Sequence, residues 1–416
     1  MNLEVFLHDS VIDRINTEQF KVLSPDEKRK KVRDLISRIV SEEKMILPRH
    51  LLEKISSQIC DEIVGLGPID FLLKDESVTE IMVNGPFEVY IEREGKLFRT
   101  EIQFADEEHL LKTIERIVAP LGLRIDESSP KVDGRLPDGS RINAVIAPIS
   151  LRGPVLTIRK FAARPISVEE LVERGSLSSE MAALLRALIL FRKNIVICGG
   201  AGSGKTTLLN SLSAFIPPDE RLITIEDSAE LNLKQLHVIS LESRPPNIEG
   251  KGEITIRDLV RNALRMRPDR IIVGEVRGGE AVDMLQAMNT GHDGSLTTAH
   301  ANSPGDLISR LETMVLMSDI ELPVRVIREQ IASALDFIVH LARFSDGTRK
   351  ITNIVEVQRS RKTAIRLRDI FYYQFEGLDQ DKRVLGSFQA TGLLPTSLEQ
   401  LHLAGIELPE EVFRND

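Results

Sequence analysis

Tryptophan is missing from the chain and only three tyrosines occur, so aromatic residues make up 4% of it. Stacking platforms for single-stranded nucleic acid are correspondingly few. Positive charge is not in excess either: 54 basic against 63 acidic side chains leave a net charge of -9, which offers no overall attraction to a polyphosphate backbone. Cysteine is scarce. Cys60 and Cys198 lie far apart and in no Cys-x-x-Cys or Cys/His cluster, which argues against a disulfide framework or a structural zinc and suits a reducing compartment. Long apolar runs are lacking too. The best, Ala182 to Phe191, is short and holds Arg186, so no segment reads as membrane-spanning. From Met1 to Asn16 the chain carries Glu4, Asp9 and Asp13 and lacks the basic-then-apolar order of a secretory signal. The expectation is a cytoplasmic protein that reaches a membrane only through partners.

What is present is the composition of a soluble globular chain, 42% hydrophobic and 28% charged, whose 416 residues exceed what one core supports. Three segments are expected. Residues 1–63 read as a helical appendage, with Val32, Leu35, Ile36, Ile39 and Val40 at helical spacing and Leu52, Ile55 and Ile59 repeating it after Pro48. The run Asp26 to Lys31 reads as the solvated face of a helix. Residues 64–163 change to short alternating strands around one helix, Asp106 to Val118, a small α+β domain. Pro165 and a short helix, Val168 to Glu173, read as a linker. Residues 175–416 read as an α/β domain in which strand, glycine loop, helix and strand alternate from Asn194 in the pattern of a parallel sheet, with a carboxyl-terminal extension from about Arg349 that has two strand-like runs and short helices.

The chemistry begins at Gly199-Gly200-Ala201-Gly202-Ser203-Gly204-Lys205-Thr206, with Thr207 next. It satisfies G-x-x-x-x-G-K-[ST], with the β-branched run Ile195 to Cys198 before it and a helical pattern after it. Small residues let backbone N–H groups wrap phosphates at a helix N-terminus, Lys205 reaches the terminal phosphates, and Thr206 offers a hydroxyl to Mg2+. The implied ligands are ATP and Mg2+.

Such a site needs carboxylates. Ile271-Ile272-Val273 ends on Gly274-Glu275 rather than on the usual Asp, and Glu275, at a strand's carboxyl end, is the first choice for activating water. Thr224 to Glu230 supplies a second acidic group. In it Glu226 and Asp227 are candidates for holding Mg2+, and helix capping is the alternative use, more so for Asp227. Gly291-His292-Asp293-Gly294 and Thr297-Thr298-Ala299-His300 place two histidines in a polar segment. His300 is positioned to feel the γ-phosphate, and no third ligand favours a metal. Arg257, Arg261 and Arg265 share a helix face, read as an interface or a solvated stripe.

Together these segments resemble the type II and type IV secretion ATPase superfamily. Leu264 to Arg277 follows its signature, in which a Gly-Glu pair replaces the ordinary Walker B end; Thr224 to Glu230 is similar to its Asp box and Thr297 to His300 to its His box. The signature's acidic residue after the arginine is Gly278 here. Gly65 to Asp70, Glu80 to Gly85, Arg277-Gly278-Gly279-Glu280-Ala281 and Thr290 to Gly294 resemble the CpaF-like subgroup that assembles tight-adherence (Flp) pili. The resemblance runs from about Glu62 nearly to the end, and the chain has no cysteines for the zinc module common in general secretion ATPases.

The resemblance implies a RecA-like P-loop domain and a homo-hexameric motor working with inner-membrane platform proteins and peripheral to that membrane; direct nucleic-acid contact is not expected, on charge and aromatic content. It also implies that the α+β domain brings arginines to its own or a neighbouring ATP, and Arg141 and Arg159 match those positions. Two other classes compete: a RecA-like nucleic-acid translocase, and a ring component that binds ATP without hydrolysing it, against which Glu275 speaks. Among ATPases, type IV secretion of protein or DNA is the alternative to pilus assembly.

Overall fold

The computed structural model of the chain describes residues 3–15, 20, 23–93, 95–161, 165–244, 246, 251–318, 322–360 and 364–414. The fold divides into two compact units, Met1–Ala162 and Ala163–Asp416. The boundary expected at 163 lies outside the described residues.

In the amino-terminal unit, Val32, Ile36 and Ile39 of the helix Pro25–Glu42 pack with Ile55 and Ile59 of the helix Arg49–Ile63, along the helical spacing read from the sequence. A further helix, Leu3–Arg14, which the sequence reading did not single out, adds the fully buried Leu7 and Val11. Ser24 and Glu27 close a capping box that starts Pro25–Glu42. The charged run there is not wholly solvated, because Arg29 is paired with Asp61 at 2.8 Å and Asp70 at 3.2 Å.

Beyond these helices the described residues form a six-stranded sheet in the order β3-β2-β1-β6-β5-β4, antiparallel throughout. Its strands are β1 (Val78–Asn84), β2 (Val89–Arg93), β3 (Lys96–Arg99), β4 (Lys131–Arg135), β5 (Arg141–Val145) and β6 (Val155–Arg159). Ile81, Val83, Ile142, Leu156 and Ile158 alternate inward onto Leu110, Ile114 and Ile117 of the helix Glu107–Val118. Each such buried side chain contributes roughly 1.5–3 kcal/mol.

The carboxyl-terminal unit is built on a nine-stranded sheet in the order β15-β14-β13-β12-β7-β11-β10-β8-β9. Its strands are β7 (Ile195–Gly199), β8 (Leu222–Glu226), β9 (Val238–Glu242), β10 (Arg270–Val276), β11 (Leu296–His300), β12 (Phe337–Arg343), β13 (Arg349–Ser360), β14 (Ala364–Leu378) and β15 (Val384–Ala390). β12, β7, β11, β10, β8 and β9 run parallel. The sheet is mixed rather than wholly parallel, because β13 to β15 extend it by antiparallel pairing.

The parallel strands read as continuous apolar runs because both faces are covered. Ile195 and Ile197 of β7 enter one core, with Leu208 and Leu212 of the helix Lys205–Ser213, while Val196 and Cys198 enter the other. The expected linker is partly core: Val168 and Leu171 of the helix Val168–Glu173 pack into the first of these clusters, so that helix belongs to this unit.

Candidate active site

The carboxyl ends of the parallel strands gather Gly199, Glu226, Glu275 and His300 at one edge of the sheet, with His300 in register with Gly199. Ligands of open α/β sheets bind at that edge.

β7 ends on Gly199 for lack of room, since a Cβ there would lie 2.3 Å from the Leu341 carbonyl oxygen and 2.6 Å from Ser203 Oγ. Gly202 and Gly204 adopt left-handed φ values of 67° and 96°, which glycine takes without strain. Gly204 then caps the helix Lys205–Ser213 without a side-chain bond, leaving its first N–H groups to a ligand. Ser203 is buried, and among the described residues its Oγ has no hydrogen-bond partner. A tight glycine cradle with an orphaned hydroxyl fits a phosphate chain.

Lys205 is 8% exposed and donates to the carbonyls of Gly199 at 3.2 Å and Gly200 at 3.0 Å. Burial lowers its pKa, and the Glu275 carboxylate opposes that shift. Thr206 and Thr207 follow, half-buried. Burial pushes the neighbouring Cys198 thiol up to about 12, which leaves it neutral and unreactive.

Glu275 stands on a bulge. Between the pairs Val273–Thr297 and Val276–Ala299, β10 carries one residue more than β11, and the extra length re-aims the side chain. The Thr298 hydroxyl donates to the Gly274 carbonyl at 2.7 Å and pins that turn. Arg277 Nη2 donates to Glu275 Oε2 at 2.8 Å, and Arg277 Nη1 lies 3.7 Å from Asp227 Oδ2. Glu275 Oε1 lies 3.0 Å from His300 Nε2, out of line for a hydrogen bond, and has no hydrogen-bond partner among the described residues. His300 has its pKa lowered, chiefly by burial and then by Lys205, against the pull of Glu275, so its ring is neutral near pH 7. A carboxylate held by Arg277 on one oxygen, with the other buried beside His300 and next to a lysine-bearing phosphate loop, is a candidate to accept a proton from water.

Glu226 is 4% exposed, and its carboxylate accepts the backbone N–H groups of Glu230 at 2.8 Å and Leu231 at 3.0 Å. The helix expected after β8 is not there, since β8 leads through an irregular loop to β9, so neither carboxylate caps a helix and Glu226 holds that loop instead. Asp227 is half-exposed and accepts from the Ser243 hydroxyl at 3.2 Å.

Arg141 and Arg159 are direct cross-strand partners on β5 and β6, and Arg135 on β4 faces Arg141 in turn. Register partners share a sheet face, so three arginines form a row there, ending at Glu80. Arg135 was missed by sequence reasoning, although it and Arg141 flank the Asp138-Gly139 turn and are thereby paired. Arg349 was missed too. It donates Nε–H to the Gly202 carbonyl at 2.8 Å, from the β12–β13 hairpin, where it pairs in register with Arg343. Arg257 and the half-exposed Arg261 clasp the buried Asp283 at 2.8 and 2.7 Å, while Arg265, exposed, lies past the end of the helix Ile256–Ala263.

The profile of the family described as "Type II/IV secretion system protein" matches residues 62–377. A putative conjugal transfer protein of Mycobacterium tuberculosis is 37% identical over 305 residues, covering 72% of this chain and 86% of that one. The type IV secretion system protein VirB11 of Brucella suis is 33% identical over 330 residues, covering 73% and 91% respectively. The X-ray structure of the Legionella pneumophila ATPase DotB, 19% identical over 82% of this chain and 83% of its own, superposes with a TM-score of 0.51 and shares the fold. With this profile, these relatives and a P-loop at the carboxyl edge of a RecA-like sheet, the chain belongs to the type II/IV secretion system protein family and is an ATPase.

Proposed function

We propose that this ATPase is a homo-hexameric motor that drives assembly of a tight-adherence (Flp) pilus, docked by platform proteins on the cytoplasmic face of the inner membrane. The observation that carries the hydrolytic part is Glu275 on its bulge, with Oε2 held by Arg277 and Oε1 free of hydrogen bonds among the described residues. Glu275 takes the proton of the attacking water. Lys205 exchanges its bonds to the Gly199 and Gly200 carbonyls for the terminal phosphates, and Gly199 to Thr207 wrap the chain with their N–H groups. Thr206 and Asp227 would hold Mg2+, which when bound would neutralise phosphate charge. Glu226, spent on backbone N–H groups, shapes the loop instead. His300, 3.0 Å from Glu275, would act as its neutral partner toward the γ-phosphate. Arg141 and Arg159 bring positive charge to the transferring phosphoryl group of their own or a neighbouring subunit.

Type IV secretion is the second reading, favoured by relatives named for conjugal transfer and for VirB11. Deleting the gene in its native host and complementing it with wild type or Lys205→Ala tests both. Loss of surface pili, unrestored by Lys205→Ala, supports the first. Retained pili with lost export of protein or DNA supports the second.

A further inference from the structure

Arg277 is exposed on 64% of its side chain, yet it reaches the Glu275 carboxylate at 2.8 Å and approaches Asp227 at 3.7 Å. An exposed arginine gains little from such pairs and loses rotamer freedom in making them. Its aim therefore depends on how the backbone leaves β10. That backbone is held by one side chain: Glu280 Oε1 accepts the N–H of Arg277 at 2.6 Å and of Gly278 at 2.8 Å. Glu280 opens the helix Glu280–Asn289, where a carboxylate is also favoured by the helix's positive end. Gly278 makes room for it, since a Cβ at 278 would lie 3.2 Å from Glu280 Oε2. The acidic residue that the family signature carries at 278 is thus replaced by a carboxylate folded back from two residues further on.

We propose that Glu280 is a positioning residue for hydrolysis. It fixes the turn after β10 so that Arg277 holds Glu275 Oε2 and Oε1, without a hydrogen-bond partner among the described residues, is left as the proton acceptor. The inference rests on the reading of Glu275 as the water-activating carboxylate. Glu280 touches no reacting group, so its loss lowers turnover and leaves nucleotide affinity in place.

The test is steady-state ATPase kinetics of the full-length chain with Glu280→Ala, Glu280→Gln, Arg277→Ala, Arg277→Ala/Glu280→Ala and Glu275→Gln, with thermal melting of each. Loss of two hydrogen bonds to a charged acceptor predicts a kcat about tenfold lower for Glu280→Ala with KM within about twofold. The amide oxygen of Glu280→Gln accepts the same two N–H groups and keeps kcat within about threefold of wild type. The double variant is no slower than Arg277→Ala alone. Should Glu280→Ala not fold, Glu280→Asp, too short to reach both N–H groups, takes its place. A wild-type kcat in Glu280→Ala, an equal fall in Glu280→Gln, or a double variant showing the product of the two single losses overturns the proposal. Glu275→Gln inactive with Glu280→Ala normal removes Glu280 alone; Glu275→Gln at the wild-type rate removes the reading of Glu275 and this inference with it.

Discussion

Gly274 lies beneath the side chain of Glu226: a Cβ added at 274 would stand 2.7 Å from Glu226 Cγ and 3.2 Å from Glu226 Oε1. The glycine of the Gly-Glu pair is therefore required by crowding, and its φ is not left-handed. Glu226 cannot simply yield, because its carboxylate is bonded to the N–H groups of Glu230 and Leu231. The Asp box and the bulge that carries Glu275 are one packed unit.

Gly274→Ala should destabilise the protein by about 1–3 kcal/mol, as overpacking does. In a Glu226→Ala background the same substitution should cost much less, since the side chain it strikes has gone. Melting of the four proteins checks this, and equal costs in both backgrounds would show that the two residues do not crowd each other.

Much of this site was legible because its signals are local. The glycine loop names itself through eight consecutive residues, and Glu275 through its place at the end of an apolar strand. The Gly274 contact was not, since nothing in Thr224 to Glu230 says which way Glu226 turns once its carboxylate finds two backbone N–H groups. Arg257 and Arg261 looked solvated because their partner, the buried Asp283, lies on another helix. The helix Leu3–Arg14 escaped notice although six of its twelve residues are apolar, because the segment was read only for its charges and the absence of a secretory signal; Leu7 and Val11 are fully buried. Arg349 sits at the mouth of a hairpin whose Asp346-Gly347 turn was readable, but only the pairing of β12 with β7 brings it to the loop.

Arg349 orients a peptide of that loop. Because the C=O and N–H of one peptide point opposite ways, holding the Gly202 carbonyl outward keeps the Ser203 N–H facing in. Arg349→Ala should weaken ATP binding roughly three- to tenfold, the net worth of one solvent-exposed hydrogen bond. Titration calorimetry reads it. An unchanged Kd means that the loop holds its shape unaided.

His300 gives stability a pH dependence of known sign. Its folded pKa lies below the ordinary 6.5, so the unfolded chain takes up the proton first as pH falls, and folding stability drops through and below that value. The buried His340, also lowered by burial, acts in the same direction. His300→Gln should therefore flatten the fall in melting temperature between about pH 7.5 and about pH 5.5 without abolishing it. An identical slope in the variant would mean that His300 titrates alike in both states.

Arg135, Arg141 and Arg159 stand side by side in one cross-strand row. If Arg141 and Arg159 serve the transition state, Ala at either should leave ATP affinity within about threefold while kcat falls about a hundredfold or more. Lys should rescue poorly, lacking the planar fork. A hexameric variant, by sedimentation, that turns over normally removes that arginine from the mechanism.

The central claim is that Glu275 activates water, and single-turnover hydrolysis by Glu275→Gln tests it most directly. The amide keeps the shape of the side chain but is a far weaker proton acceptor, so ATP should bind with near wild-type affinity while the chemical step slows by about two to four orders of magnitude. Chemistry at the wild-type rate in a correctly folded Glu275→Gln protein would contradict the account and move the role to another group at the same sheet edge.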